Sequence, residues 1–219
     1  MKTIYLWVTG QGWTPFNLEI ETTKKKLSDR NIKIGNSAKI GNSAKIGNSA
    51  KIGHYATIGH YATIGDYATI GHYATIGDYA TIGDYATIGD YATIGNSAKI
   101  VNSAKIGDYA TIGHYATIGH YATIGNSAKI GDNEIILKTL FITGTKHSVN
   151  WYGTNIIHIG CHNKEVEWWL ENYQDIGRKE GYSDSEIEEY HQYIIICKQM
   201  QDSVKNEQLK IEYHDTKII

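Results

Sequence analysis

Proline is nearly absent from this chain: Pro15 is the only one in 219 residues. A sequence that turns sharply and often must therefore turn by other means, and Pro15 lies where it interrupts no repeat. Two cysteines, Cys161 and Cys197, are too few for a disulfide framework, which makes a reducing compartment, the cytoplasm, the expected location. No apolar run reaches the length of a membrane span. The run Ile4-Tyr5-Leu6-Trp7-Val8 is also too short for the core of a secretion signal and ends at Thr9-Gly10. A basic excess is missing as well. Residues 1–33 carry six basic and three acidic side chains, residues 34–134 six and seven, and residues 135–219 nine and thirteen. The only basic run, Lys24-Lys25-Lys26, reads as a solvated loop, so neither duplex nucleic acid nor a membrane is an expected partner.

What is present is a six-residue unit repeated from Ile34 to about Glu134 in three versions, Ile-Gly-Asn-Ser-Ala-Lys, Ile-Gly-His-Tyr-Ala-Thr and Ile-Gly-Asp-Tyr-Ala-Thr. Six is commensurate with no helical period but is a multiple of two, the side-chain period of a strand. Short strands joined by tight corners can thus keep every Ile and Ala inside and every Tyr, Thr or Lys outside. The residue after Gly is always Asn, Asp or His, the types most tolerant of positive φ, and it is expected to form the corner. Val101 is the one lapse, replacing the repeat's Gly. It marks either a widened corner or neutral drift.

The unit resembles that of the hexapeptide-repeat left-handed parallel β-helix family, aliphatic-Gly-x-x-small-x, over seventeen units. The resemblance implies left-handed coils of three units, a triangular prism and a homotrimer. The expected fold is mainly β: this β-helix over residues 34–134, an N-terminal β capping segment over 1–33, and a small C-terminal α+β domain over 135–219. In the last of these, Ile135 to Thr143 and Asn155 to Ile159 read as strands. Val166, Trp169, Leu170, Tyr173 and Ile176 share a helix face, and Ser183 with Glu186 forms a capping box for a second helix. Leu209, Ile211 and Tyr213 suggest a final strand, and Leu18 to Thr22 an N-terminal edge strand. Residues 140–200 also resemble a module of uncharacterised phage and prophage proteins, which implies a phage source and a host-cytoplasm setting but no activity.

Three chemistries could use such a repeat, and the sequence opposes each. Family members are mostly acyltransferases with a catalytic His beside a loop that interrupts the coils. Here no unit is interrupted, and His54, His60, His72, His114 and His120 sit in near-identical sequence, so none is singled out. Zinc needs converging ligands, and histidines six apart occupy different corners. In the C-terminal domain His158, Cys161 and His162 cluster, with His147 across a hairpin. A strand running through His162 would turn His158 and His162 one way and Cys161 the other. Ice binding by the Thr57, Thr75, Thr93, Thr111 ladder is opposed by the bulky Tyr beside each Thr.

Tyr columns offer more. Units eighteen apart align Tyr55, Tyr73, Tyr91 and Tyr109. The columns through Tyr61, Tyr79 and Tyr115 and through Tyr67, Tyr85 and Tyr121 are broken at Ser97 and Ser103, where Lys99 and Lys105 also replace Thr. Each break should be a notch of aromatic walls and an ammonium, suited to a nucleotide-like anion. The leading expectation is therefore a non-catalytic, phage-encoded homotrimer that captures a small anionic ligand or a host protein at subunit interfaces, with no cofactor. A structural shaft or fibre component and an acyltransferase-type enzyme are the alternatives.

Overall fold

The computed structural model describes residues 3–8, 11–17, 20–153 and 155–215, the side chains of Trp7 and of residues 205–215 aside. The chain divides into two compact units, Met1–Leu137 and Lys138–Ile219.

In the first unit each six-residue repeat contributes one short strand. Strands eighteen residues apart pair in parallel, so that Thr75 faces Thr57 and Thr93 while Ile76 faces Ile58 and Ile94. Three stacks result, one of eight strands and two of six, forming the three sides of a parallel β-helix. The inward positions of the central coils are sealed, with Ala56 to Ala116 at 0% and Ile58 to Ile118 at no more than 2% exposure. Burying one such isoleucine contributes roughly 1.5–3 kcal/mol, and every coil repeats the gain.

The corners differ from expectation. In most units the Ala N–H donates to the carbonyl three residues back, as from Ala56 to Gly53 at 3.4 Å, closing a β-turn. Its left-handed residue is the Tyr or Ser, with φ of 56–62° from Ser37 to Asn133, and not the Asn, Asp or His before it. Left-handed backbone costs a non-glycine residue about 1–2 kcal/mol. A hydrogen bond from its N–H to the carbonyl of the coil before offsets this, as from Tyr91 to His72 at 2.8 Å. Glycine is needed for room instead: a Cβ at Gly65 would lie 2.4 Å from Asp84 Oδ1 and 2.6 Å from Asp84 N.

The N-terminal strands β1 (Thr3–Val8) and β2 (Gly12–Asn17) extend the eight-stranded stack. β1 runs parallel to Ala44–Ile46, and its Ile4 and Leu6, both fully buried, continue the inner columns over Ala44 and Ile46. The open backbone of one side of the first coil is thus paired, whereas Lys33–Ile34 and Lys39–Ile40 end the other two stacks. Of the expected edge strand, Leu18 and Glu19 lie outside the described residues. Glu21 and Thr22 instead open helix α1 (Glu21–Asp29), which also carries Lys24 to Lys26 and buries Leu27.

The second unit starts after Ile135–Ile136, which is the last coil strand and pairs with Thr117–Ile118. Four antiparallel strands, Leu140–Thr143, Ser148–Trp151, Ile156–Ile159 and His162–Glu165, follow in sequential order. Helices α2 (Val166–Lys179) and α3 (Asp184–Asp215) pack on them. Trp151 and Trp169 anchor this core, the latter donating from Nε1 to the Ile157 carbonyl at 3.0 Å. Gly181, at φ 71°, ends α2: Tyr182 N–H reaches the Gly177 carbonyl and Gly181 N–H that of Arg178. The capping box forms, with Ser183 N–H on Glu186 Oε2 at 2.7 Å and Glu186 N–H on Ser183 Oγ at 3.3 Å. No final strand exists, because α3 continues through residues 209–213. Among the described residues no helix is long and apolar enough to cross a membrane.

Candidate functional site

Asn, Asp and His share one property: an acceptor atom two bonds beyond Cβ, Oδ1 or Nδ1. At the corners from His54 to Asp132, His120 apart, that atom accepts the backbone N–H of the corner residue one coil earlier. Asp66 Oδ1 accepts from Asn48 at 2.6 Å, Asn96 Oδ1 from Asp78 at 3.0 Å, and His72 Nδ1 from His54 at 2.9 Å. Strand pairing leaves these N–H groups without partners, and the side-chain ladder supplies them. This selects the corner residue types.

The ladder also fixes the histidines. His54, His60, His72 and His114 accept at Nδ1 from Asn36, Asn42, His54 and Asn96, at 2.8–3.0 Å. A neutral imidazole accepting at Nδ1 carries its proton on Nε2, so the outward nitrogen is a donor and not a base. His54 and His72 stack with ring centroids 5.1 Å apart as consecutive rungs.

His120 is different. From Asn36 to His114 the corner N–H groups all donate to the next rung except that of Asn102, and no bond joins it to His120 among the described residues. The cause is Val101. At the equivalent glycines a Cβ would come within 2.3–2.6 Å of the next corner, for instance 2.5 Å from His60 N at Gly41. Val101 carries a real Cβ there and must push the following corner away. The Tyr121 N–H to Asn102 carbonyl bond is accordingly stretched to 3.3 Å, against 2.8–3.0 Å at the other corners. His120 is exposed, with its ring tilted against Tyr121, and its Nδ1 is released from the ladder.

This corner coincides with one predicted notch. Ser103 follows Asn102 in the chain, Lys105 lies two residues on, and Tyr85 and Tyr121 bound the gap in the column. Tyr121 is 78% exposed, against 46–64% for the other column tyrosines. Lys105 sits between Thr87 and Thr123 in its stack. At the other notch Ser97 breaks the column between Tyr79 and Tyr115, and Lys99 lies between Thr81 and Thr117. There the corner histidine, His114, is held by Asn96. The structure thus gathers the expected notch residues into two separate places, Ser103, Lys105, Tyr85 and Tyr121 in one and Ser97, Lys99, Tyr79 and Tyr115 in the other. His120 was the residue hidden by uniform local sequence. Its signal was the lapse at Val101, eighteen residues before Gly119.

In the second unit the chain reverses at Gly160–Cys161, so His158 and His162 are on different strands rather than one. His158 packs edge-on to Tyr152, and its pKa is lowered by burial. His147, Cys161 and His162 instead border a cavity of about 50 Å³ with Trp169, Glu180 and Tyr182. His147 Nδ1 bonds the Tyr182 hydroxyl, and His162 Nε2 lies 3.2 Å from Glu180 Oε1. Burial first, then Tyr190, Glu180 and Glu186 nearby, pushes the Tyr182 pKa up to about 12. Burial alone pushes Cys197 up to about 12, leaving it a thiol. Among the described residues no three His, Cys, Asp or Glu side chains converge as a metal requires.

The bacterial transferase hexapeptide model (six repeats) matches residues 31–66, 61–96 and 85–120. No curated protein matches the sequence. Among solved structures, a mutant of perosamine N-acetyltransferase from Caulobacter crescentus, in complex with CoA and GDP-perosamine, is similar at 16% identity and TM-score 0.48, covering 53% of this chain and 60% of that one. The acetyltransferase domain of PglB from Neisseria gonorrhoeae is similar at 18% identity and TM-score 0.38, covering 47% and 52%. Arabidopsis UDP-N-acetylglucosamine acyltransferase is similar at 24% identity and TM-score 0.29, covering 48% and 49%. This chain therefore spans 60% or less of the length of each of these proteins. Two expectations are corrected by these findings. A non-catalytic capturing protein, and a chain that is not an enzyme, run against the match of residues 31–120 to a bacterial transferase repeat. The six-residue repeat and the three-sided parallel coils make the first unit a hexapeptide-repeat parallel β-helix, of which residues 31–120 match the family model.

Proposed function

We propose that this protein is an acyltransferase of the hexapeptide type, acting as a homotrimer, with His120 as its general base. One observation carries the residue assignment: His120 alone among the repeat histidines is freed from the corner ladder. The match of residues 31–120 to a transferase model supports the reaction class. An imidazole free at Nδ1 can hold its proton there and present an unprotonated Nε2 to an amine or hydroxyl. As that nucleophile attacks a thioester carbonyl, the imidazole takes its proton. The C–S bond breaks and the proton passes to the departing thiolate. Lys105, exposed beside the same corner, is placed to meet an anionic part of the donor or acceptor. A phage genome as the source rests on the resemblance of residues 140–200 alone.

The test is thiol release from acetyl-CoA with amino-sugar nucleotides and simple amines as acceptors. His120→Ala should lower kcat/KM by about 10²–10⁴-fold, the usual contribution of a positioned base, with the β circular dichroism signal retained. His114→Ala should leave the rate within a factor of two. Equal losses in the two variants, or no turnover with any acceptor, would overturn the reading. Light scattering should give three times the chain mass of 24.4 kDa.

A further inference from the structure

We infer that the two rings missing from the tyrosine columns, at Ser97 and Ser103, leave slots that each admit one planar heteroaromatic ring, the base of a nucleotide-bearing substrate whose phosphate meets Lys99 or Lys105. That the ligand is a substrate rests on the transferase reading; that a ring enters the slot does not.

The columns provide the ruler. Tyr55, Tyr73, Tyr91 and Tyr109 form an unbroken stack with centroids 4.8–4.9 Å apart and planes within 7° of parallel. Tyr61 on Tyr79 and Tyr67 on Tyr85 repeat it at 5.0 and 4.9 Å. Where Ser replaces Tyr, the flanking residues are two coils apart, about 10 Å at the strand spacing of each coil. A single ring midway lies about 5 Å from each wall, within the 4.5–7 Å that aromatic pairs adopt. Two rings do not fit.

The slots are confined to these positions. Ser37, Ser43 and Ser49 follow one another in the first coil with no tyrosine before them, and beyond Ser127 the column has no further tyrosine. Only Ser97 and Ser103 have a tyrosine one coil away on both sides. Each serine is half-buried between exposed rings, which makes its hydroxyl a polar floor for a ring-edge nitrogen or carbonyl. Both units also exchange Thr for Lys, and among the described residues neither ammonium has an ion-pair partner. A neutral aromatic ring would leave that charge unused; a base joined to phosphate uses both features.

The decisive variants refill the columns with the repeat's own residues, so the coil sequence stays regular. Titration calorimetry on the full chain would compare ADP, UDP, CoA and adenosine. Binding is expected for one or more of the three phosphate-bearing compounds, and CoA against the diphosphates identifies which carrier the slot takes. Ser97→Tyr with Ser103→Tyr should weaken that binding at least tenfold. Lys99→Thr with Lys105→Thr should erase the preference over adenosine. Unchanged affinity in the double tyrosine variant, or no binding by any of the four, would overturn the slots. Binding without acyl transfer would keep the slots and remove the transferase reading. Transfer with an unchanged KM in the double tyrosine variant would do the reverse.

Discussion

At the scale of single residues, a histidine's capacity as a base depends here on what occupies its first ring nitrogen. The same five-residue surroundings give four rungs and one free imidazole, because one methine stands where the coils otherwise keep glycine. Val101→Gly should therefore act in opposite directions on two observables. It restores the room for the Asn102 N–H to meet His120 Nδ1, a bond whose net contribution is about 1 kcal/mol, so the melting temperature should rise. It also fixes the proton on Nε2, so acyl transfer should fall about tenfold or more, since a positioned base is worth at least 10²-fold. A parallel loss of stability and activity would refute this account of the corner. An ordinary rung behaves otherwise: Asn96→Ala strands the Asp78 N–H and should cost about 1 kcal/mol in urea unfolding, whereas Asn96→Asp keeps the acceptor and should be nearly neutral.

At the scale of elements, two glycines separate room from conformation. A Cβ at Gly77 would lie 2.4 Å from Asn96 Oδ1 and 2.6 Å from Asn96 N. Gly77→Ala should therefore cost about 1–3 kcal/mol through overpacking. At Gly181, with φ at 71°, an added Cβ meets nothing within 4 Å, so Gly181→Ala should cost about 1–2 kcal/mol for the left-handed backbone alone. Chevron or equilibrium unfolding distinguishes them, because Gly181→Asn should recover most of the loss and Gly77→Asn none. The coils were legible in the sequence because alternation of Ile and Ala inside with Tyr and Thr outside has one periodic solution. The left-handed residue was not, since the residue type best suited to positive φ was needed one place earlier as an acceptor. Local pattern also misread the chain beyond α3's start: Leu209, Ile211 and Tyr213 alternate like a strand, yet the helix begun by the Ser183 cap continues through them. His120 was invisible because its difference lies eighteen residues away in sequence and one coil away in space.

At the scale of the whole molecule, two units built on different principles should respond differently to acid. The first repeats short-range contacts between neighbouring coils, whereas the second closes one core around Trp151 and Trp169 and fastens its helix turn to a hairpin through ionisable groups. Thr145 donates to Glu189 from both N–H and hydroxyl, and Lys146 reaches Glu186 at 3.3 Å and the Gly181 carbonyl at 2.7 Å. The carboxyls of Glu189 and Glu186 are held below their ordinary pKa of 4.5, chiefly by hydrogen bonds from Thr145 and Ser183 respectively, so their stabilisation is present above that value and is lost as pH falls beneath it. His158 is held below its ordinary 6.5 by burial. Between 6.5 and its folded value the unfolded chain binds the extra proton, and stability declines as pH falls through that window. The second unit should therefore loosen first, beginning just below pH 6.5 and again below pH 4.5. With Trp7 and Trp13 of the first unit replaced by Phe, thermal melts between pH 8 and pH 4 can follow the fluorescence of Trp151, Trp168 and Trp169 alongside the far-ultraviolet β signal of the coils. The fluorescence midpoint should fall earlier than the β midpoint as pH drops, and His158→Gln should flatten the upper step alone. Coincident midpoints across the range would mean that the two units unfold as one and that these groups do not set the order.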